Sequence, residues 1–156
     1  MNSDADALTA LLDAAETHAQ HVLVDSGQDE LLPLFHLCGP DGDILVATPF
    51  CGDESKDFAA QGVRQLIRQH RITRYSFLSE AWMIKRKSYL PGLGPRPSEA
   101  DDRVEVVIAT ATDGVAHRYR RWRIKRDGTK CVALVRDDAA DEVPAKTHGR
   151  FDNLFA

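Results

Sequence analysis

Val104-Glu105-Val106-Val107-Ile108-Ala109-Thr110-Ala111-Thr112-Asp113-Gly114-Val115-Ala116-His117-Arg118-Tyr119-Arg120-Arg121-Trp122-Arg123-Ile124-Lys125-Arg126-Asp127-Gly128-Thr129-Lys130-Cys131-Val132-Ala133-Leu134-Val135 reads as three strands divided by two Asp-Gly turns. Asp-Gly favours tight hairpins because glycine supplies a positive φ without steric cost. The expected strands are β4 (Val104 to Thr112), β5 (Val115 to Arg126) and β6 (Lys130 to Val135), an antiparallel meander.

Upstream, Arg74 to Arg86 alternates strictly and is expected as β3. Tyr75, Phe77, Ser79, Ala81 and Met83 point one way, and Ser76, Leu78, Glu80, Trp82 and Ile84 the other. Both faces are largely apolar, which is the pattern of a central strand. Between β3 and β4, Pro91-Gly92-Leu93-Gly94-Pro95-Arg96-Pro97 forbids regular structure.

The first half supplies two helices and a hairpin. Leu8, Leu11, Leu12, Ala15, Ala19, Val22 and Leu23 recur at helical spacing between a cap at Ser3 and a stop at Asp25-Ser26-Gly27, giving α1. Leu31 to Leu37 (β1) and Asp43 to Thr48 (β2) flank the turn Gly39-Pro40-Asp41-Gly42. Pro33 makes β1 either an edge strand or one that begins late. From Asp53 or Ser55, Phe58, Ala59, Gly62, Val63, Leu66, Ile67 and His70 line one face of α2. The expected fold class is therefore α+β: a mostly antiparallel sheet of five to six strands with two helices packed on one of its faces, in the order α1-β1-β2-α2-β3-β4-β5-β6. Residues 1–148 form a single domain, and 149–156 an apolar C-terminal tail.

The chain has 156 residues, 43% of them hydrophobic, enough for one self-sufficient core without disulfides or a structural metal. Cys38, Cys51 and Cys131 contain no C-x-x-C pair, and reduced thiols in a cytoplasmic setting fit them. The acidic start Met1-Asn2-Ser3-Asp4-Ala5-Asp6 is unlike a secretory leader, and no apolar run is long enough for a membrane span.

The net charge of −4 conceals two opposed blocks. Residues 1–60 sum to −11, residues 61–136 to +10 and residues 137–156 to −3. The densest basic run lies on β5, where His117, Tyr119, Arg121, Arg123 and Lys125 share one face and Arg118, Arg120, Trp122, Ile124 and Arg126 the other. Cations interleaved with aromatics can hold phosphate and stack a base, so Arg118, Tyr119, Arg121, Trp122, Arg123 and Lys125 are the candidate nucleic-acid or anion-binding residues. The plainer reading puts Trp122 and Ile124 in the core and pairs the cations with the acidic helices; it is preferred because no recognition motif accompanies the run. Acids at helix starts have a local reason as well, since they complement the helix dipole.

Catalytic candidates are few. Cys51 precedes α2, where a helix N-terminus can activate a thiol, and Glu80 is a polar residue inside an apolar strand. A buried structural thiol and an Arg-paired carboxylate are the expected alternatives. His18 and His21, at i and i+3, could offer metal ligands, joined by His36 and Cys38 only if folding brings them close; neither a metal set nor a cofactor is assigned. In the tail, Phe151, Leu154 and Phe155 form one apolar turn that docks either on its own domain, the favoured outcome, or into a partner.

The succession Ile44-Leu45-Val46-Ala47-Thr48-Pro49, an Arg-rich helix, Arg74-Tyr75-Ser76-Phe77-Leu78-Ser79-Glu80-Ala81-Trp82 and a closing meander resembles small uncharacterised α+β proteins of bacteria and their phages over residues 31–136. The resemblance implies no activity. The expected function is a non-enzymatic interaction protein that binds a macromolecule, most simply a protein, through a charge-polarised surface or the tail. Nucleic-acid binding by residues 117–126 and a small cysteine- or glutamate-dependent hydrolase are the alternatives, and a homo-oligomer is compatible with each.

Overall fold

Because successive side chains of a strand point to opposite sides, the two apolar sets of β1 and β3 each demand their own cover. A computed structural model describes residues 3–49, 52–84, 103–137, 151 and 153–155. It shows α1 (Ser3–Ala19) running into a π-helical segment Gln20–Asp25, then β1 (Leu34–Gly39), β2 (Gly42–Ala47), α2 (Asp53–Gln69), β3 (Arg74–Ile84), β4 (Arg103–Thr112), β5 (His117–Asp127) and β6 (Lys130–Arg136). The α+β class and the element order are as expected. All strands pair antiparallel in one curled sheet of order β2-β1-β3-β4-β5-β6.

The two helices lie on opposite faces of that sheet, which corrects the one-sided arrangement expected. Leu8, Leu11, Leu12, Ala15, Ala19 and Leu23 pack with Cys38, Leu78, Val107, Ala109 and Trp122. Ala60, Val63 and Ile67 of α2 pack instead with Phe35, Leu37 and Tyr75, the alternate residues of the same strands. One helix could not cover both sets.

β1 is an interior strand that starts after Pro33, so of the two outcomes open to it the late start is realised. The hairpin turn is the two-residue loop Pro40-Asp41, with Gly39 opposite Gly42 and Gly42 at φ 113°. Between β4 and β5 the Asp113 carboxylate accepts from the Val115 and Ala116 amides at 2.9 and 2.8 Å, bracing a longer turn than Asp-Gly alone suggests. A bulge at Lys125/Arg126 lets Arg126 pair with Cys131 and leaves Val132 as the extra residue of β6. Among the described residues no helix is long and apolar enough to cross a membrane.

Candidate functional site

On the α1 face the two charge blocks meet. Arg120 is 2% exposed, and its Nη1 donates to Asp13 Oδ1 at 2.8 Å and lies 3.7 Å from Glu16 Oε1. Glu16 also accepts from Trp122 Nε1 at 3.1 Å and from Arg136 Nη2 at 2.6 and 3.0 Å. Helical spacing causes this: Asp13 and Glu16 stand at i and i+3 on α1, one turn apart over the inward residues of β5. Trp122, 1% exposed, is a core side chain, as in the preferred reading of the run, and presents no ring face for a base to stack on. Arg121 is held by Asp137, Arg118 and Tyr119 are half-buried, and Arg123 and Lys125 are exposed on the other face of β5.

The tail docks on its own domain. The Tyr75 hydroxyl donates to the Phe151 carbonyl at 2.6 Å and accepts from the Leu154 amide at 3.1 Å. Phe151 stacks with Phe35 and Phe77, Phe155 with Tyr75, and Leu154 is 1% exposed. A Cβ built on Gly114 would sit 3.2 Å from the Phe155 ring, so that glycine both makes its turn and admits the tail. Phe151, Leu154 and Phe155 are thus spent inside the domain, and a partner could reach them only after undocking.

Cys51 lies outside the described residues, as do the side chain of Ser3, the Pro91 to Pro97 segment and all but Asp137 of the acidic stretch before the tail. Glu80 was expected to pair with an arginine. It accepts instead from the Leu31 backbone amide at 2.8 Å, and the nearby guanidinium of Arg126 is engaged by Glu105, with Nη2 to Oε2 at 2.9 Å. Burial raises its pKa above the usual carboxylate range, with Glu105 and Glu30 adding to the rise and the Leu31 bond and Arg126 opposing it. Cys131 is buried, and burial pushes its thiol up.

Among the described residues, two further arrangements could act on something outside the domain. The first is a groove of about 370 Å³ between α2 and β2, walled by Val46, Pro49, Phe58, Gly62, Val63 and Leu66. Phe58 is 79% exposed, although its helical spacing with Ala59, Val63 and Leu66 expects it against the core. Among the described residues β2 is the last strand on that side, and Phe58 stands at its margin.

The second gathers His36, Cys38 and Asp43 on the α1 face of the β1–β2 hairpin, with their ligand atoms all within 4.8 Å of one another. His36 Nε2 meets Asp43 Oδ2 at 2.8 Å, and this bond, ahead of smaller effects, holds the Asp43 carboxyl below its usual range. Burial, with Asp43 alongside, raises Cys38 to about 11. His18 lines a cavity of about 150 Å³ together with His36, Leu45 and Ser76. Burial, then His21, lowers the pKa of His18. His18 and His21 are not part of the His-Cys-Asp cluster, whereas His36 and Cys38 are. Asp43 belongs to no motif in the sequence, yet a two-residue turn at Pro40-Asp41 places it opposite Cys38.

No protein-family model, curated protein or solved structure matches this chain.

Proposed function

We propose that the protein is a binding module that takes an extended apolar segment of a partner protein by strand addition at β2, seating its side chains in the groove beside Phe58. The observation that carries this reading is the exposed Phe58 next to an edge strand. A large aromatic at 79% exposure, lining a concave apolar wall, offers apolar surface whose removal from water would favour binding. The outer backbone row of β2 offers the donors and acceptors that an added strand requires. Ile44 and Val46 face the α2 side and Leu45, 64% exposed, the other, so the incoming strand would be read on alternate residues.

The chemistry of the occupant follows from the rim. Glu54, in the first turn of α2, stands four residues before Phe58 on the same side of the helix. A segment with apolar residues at i and i+2 and a flanking Lys or Arg complements both features. The polarised surface expected from the sequence contributes less to this reading, since Asp13 and Glu16 are consumed by Arg120 and Arg136.

The test is selection from a random peptide library on the purified chain, followed by titration calorimetry of the winners. Selected peptides are expected to share the i, i+2 apolar pattern with a basic flank and to lose at least tenfold in affinity against Phe58→Ser. Enrichment of helical i, i+3/i+4 patterns, or binders indifferent to Phe58→Ser, would defeat the proposal. So would a library that enriches nothing.

A further inference from the structure

The geometry points to a second, separate site: His36, Cys38 and Asp43 form a binding site for a borderline divalent cation of the zinc class, with solvent as the fourth ligand. It lies on the face of the hairpin opposite the Phe58 groove and stands or falls independently of it.

Topology assembles the donors. His36 and Cys38 are at i and i+2 of β1 and so share the α1 face, and the register sets Asp43 directly across from Cys38 on β2. Imidazole nitrogen, thiolate sulfur and carboxylate oxygen are the three donor types that zinc takes, at about 2.0–2.3 Å each. Bond lengths of that size put neighbouring ligand atoms about 3.3–3.8 Å apart in a tetrahedron. The His36–Asp43 contact of 2.8 Å has to open slightly and the widest spacing, at most 4.8 Å, has to close by about an ångström. Rotation of Asp43, whose side chain is 58% exposed, can open its contact with His36 without moving the strands, and the remaining closure falls to the His36 and Cys38 side chains, which share one face of β1.

Accessibility is graded in the same way. Cys38 is 5% exposed and His36 20%, so two donors are fixed in the wall while the third opens to solvent and leaves an entry path. A carboxylate and a thiolate together neutralise a divalent ion. Arg74 lies opposite Cys38 on β3, so its charge opposes that of the ion. On binding, the Cys38 S–H bond breaks, a sulfur–metal bond forms and the proton leaves to solvent, with no change of oxidation state.

The experiment uses the reduced, chelator-treated full chain with Zn²⁺ and Co²⁺ as probes. Zinc affinity, read by competition with a chromophoric chelator, is expected to show one ion per chain and to fall at least tenfold in Cys38→Ser and in Asp43→Asn. His117→Gln, a histidine on β5, should leave it unchanged. Cobalt should give a tetrahedral visible spectrum with a near-ultraviolet thiolate charge-transfer band that Cys38→Ser abolishes. Asp43→Asn changes an exposed side chain, so it tests the site even if Cys38→Ser does not fold. A spectrum without the thiolate band, zinc affinity that survives Asp43→Asn, or no binding above that of the His36→Gln variant would overturn the inference.

Discussion

The two faces of the sheet draw on the same strands and solve opposite problems. On the α1 face, acids from the first block lie over cations from the second, and the buried guanidinium of Arg120 is tied to Asp13 while Trp122 and Arg136 converge on Glu16. On the α2 face the cover is apolar: Val63 and Ile67 from the helix, and Phe151, Leu154 and Phe155 from the tail, meet Phe35, Leu37, Tyr75 and Phe77. Charge segregated along the chain is thus cancelled in part where α1 crosses β5. Antiparallel pairing and a crossing helix bring distant segments together, and what reaches the solvent is the remainder after pairing.

The paired face can be broken from either side, with very different outcomes. Asp13→Asn with Glu16→Gln leaves Arg120 buried without the Asp13 and Glu16 carboxylates, a loss expected at about 3–5 kcal/mol. Arg120→Met removes the charge and keeps most of the volume, while Asp13, 63% exposed, and Glu16 can turn to solvent. That change should stay within about 1 kcal/mol of wild type or be stabilising. Urea unfolding of the three proteins measures it. Equal losses in both variants would mean that the ion pair is itself net stabilising, its attraction exceeding the cost of burying the charge.

The apolar face is broken at the tail. Leu154→Ala should cost about 2–5 kcal/mol, the range for truncating a buried leucine. Tyr75→Phe keeps the ring and deprives the Phe151 carbonyl and the Leu154 amide of their shared hydroxyl, at about 1–3 kcal/mol. Thermal melts and limited proteolysis at the C-terminus read both. If Tyr75→Phe frees the tail to proteolysis without lowering the melting temperature, the tail is a detachable latch, and the domain core ends with α2.

Much of this was legible because it rests on local rules. The Asp-Gly and Gly-Pro-Asp-Gly turns, the 3.6-residue spacing of Leu8 to Leu23 and the alternation from Tyr75 to Trp82 each fix an element without reference to the rest of the chain. What local rules do not reach is which face receives which helix. Phe35 and His36 differ by one position, and only the packed structure assigns α2 to the first and α1 to the second. The same limit hid the groove, because Phe58 reads as core in helical periodicity until the sheet ends at β2. For the His-Cys-Asp cluster the signal was present: residues symmetric about a two-residue turn are cross-strand neighbours, so Cys38 and Asp43 are partners as soon as Pro40-Asp41 is taken as the loop.

Glu80 marks where the charge logic of the α1 face gives out, and its variant has the smallest expected effect. Burial holds its carboxyl above the ordinary range and outweighs both the Leu31 amide and Arg126, so the folded chain keeps this proton to a higher pH than the unfolded chain does. Stability contributed at this position is therefore greatest below the unfolded pKa, falls as pH rises through the folded one and is level above it. Glu80→Gln retains an oxygen for the Leu31 N–H and removes the titrating charge. It should raise stability at pH 7 by less than about 1 kcal/mol and make no difference near pH 4, as read by urea unfolding across that interval. A variant weaker than wild type at pH 7 would show that the attraction of Arg126 exceeds the cost of burial. The pairing that governs the opposite end of this face, at Arg120, would then extend along its whole length.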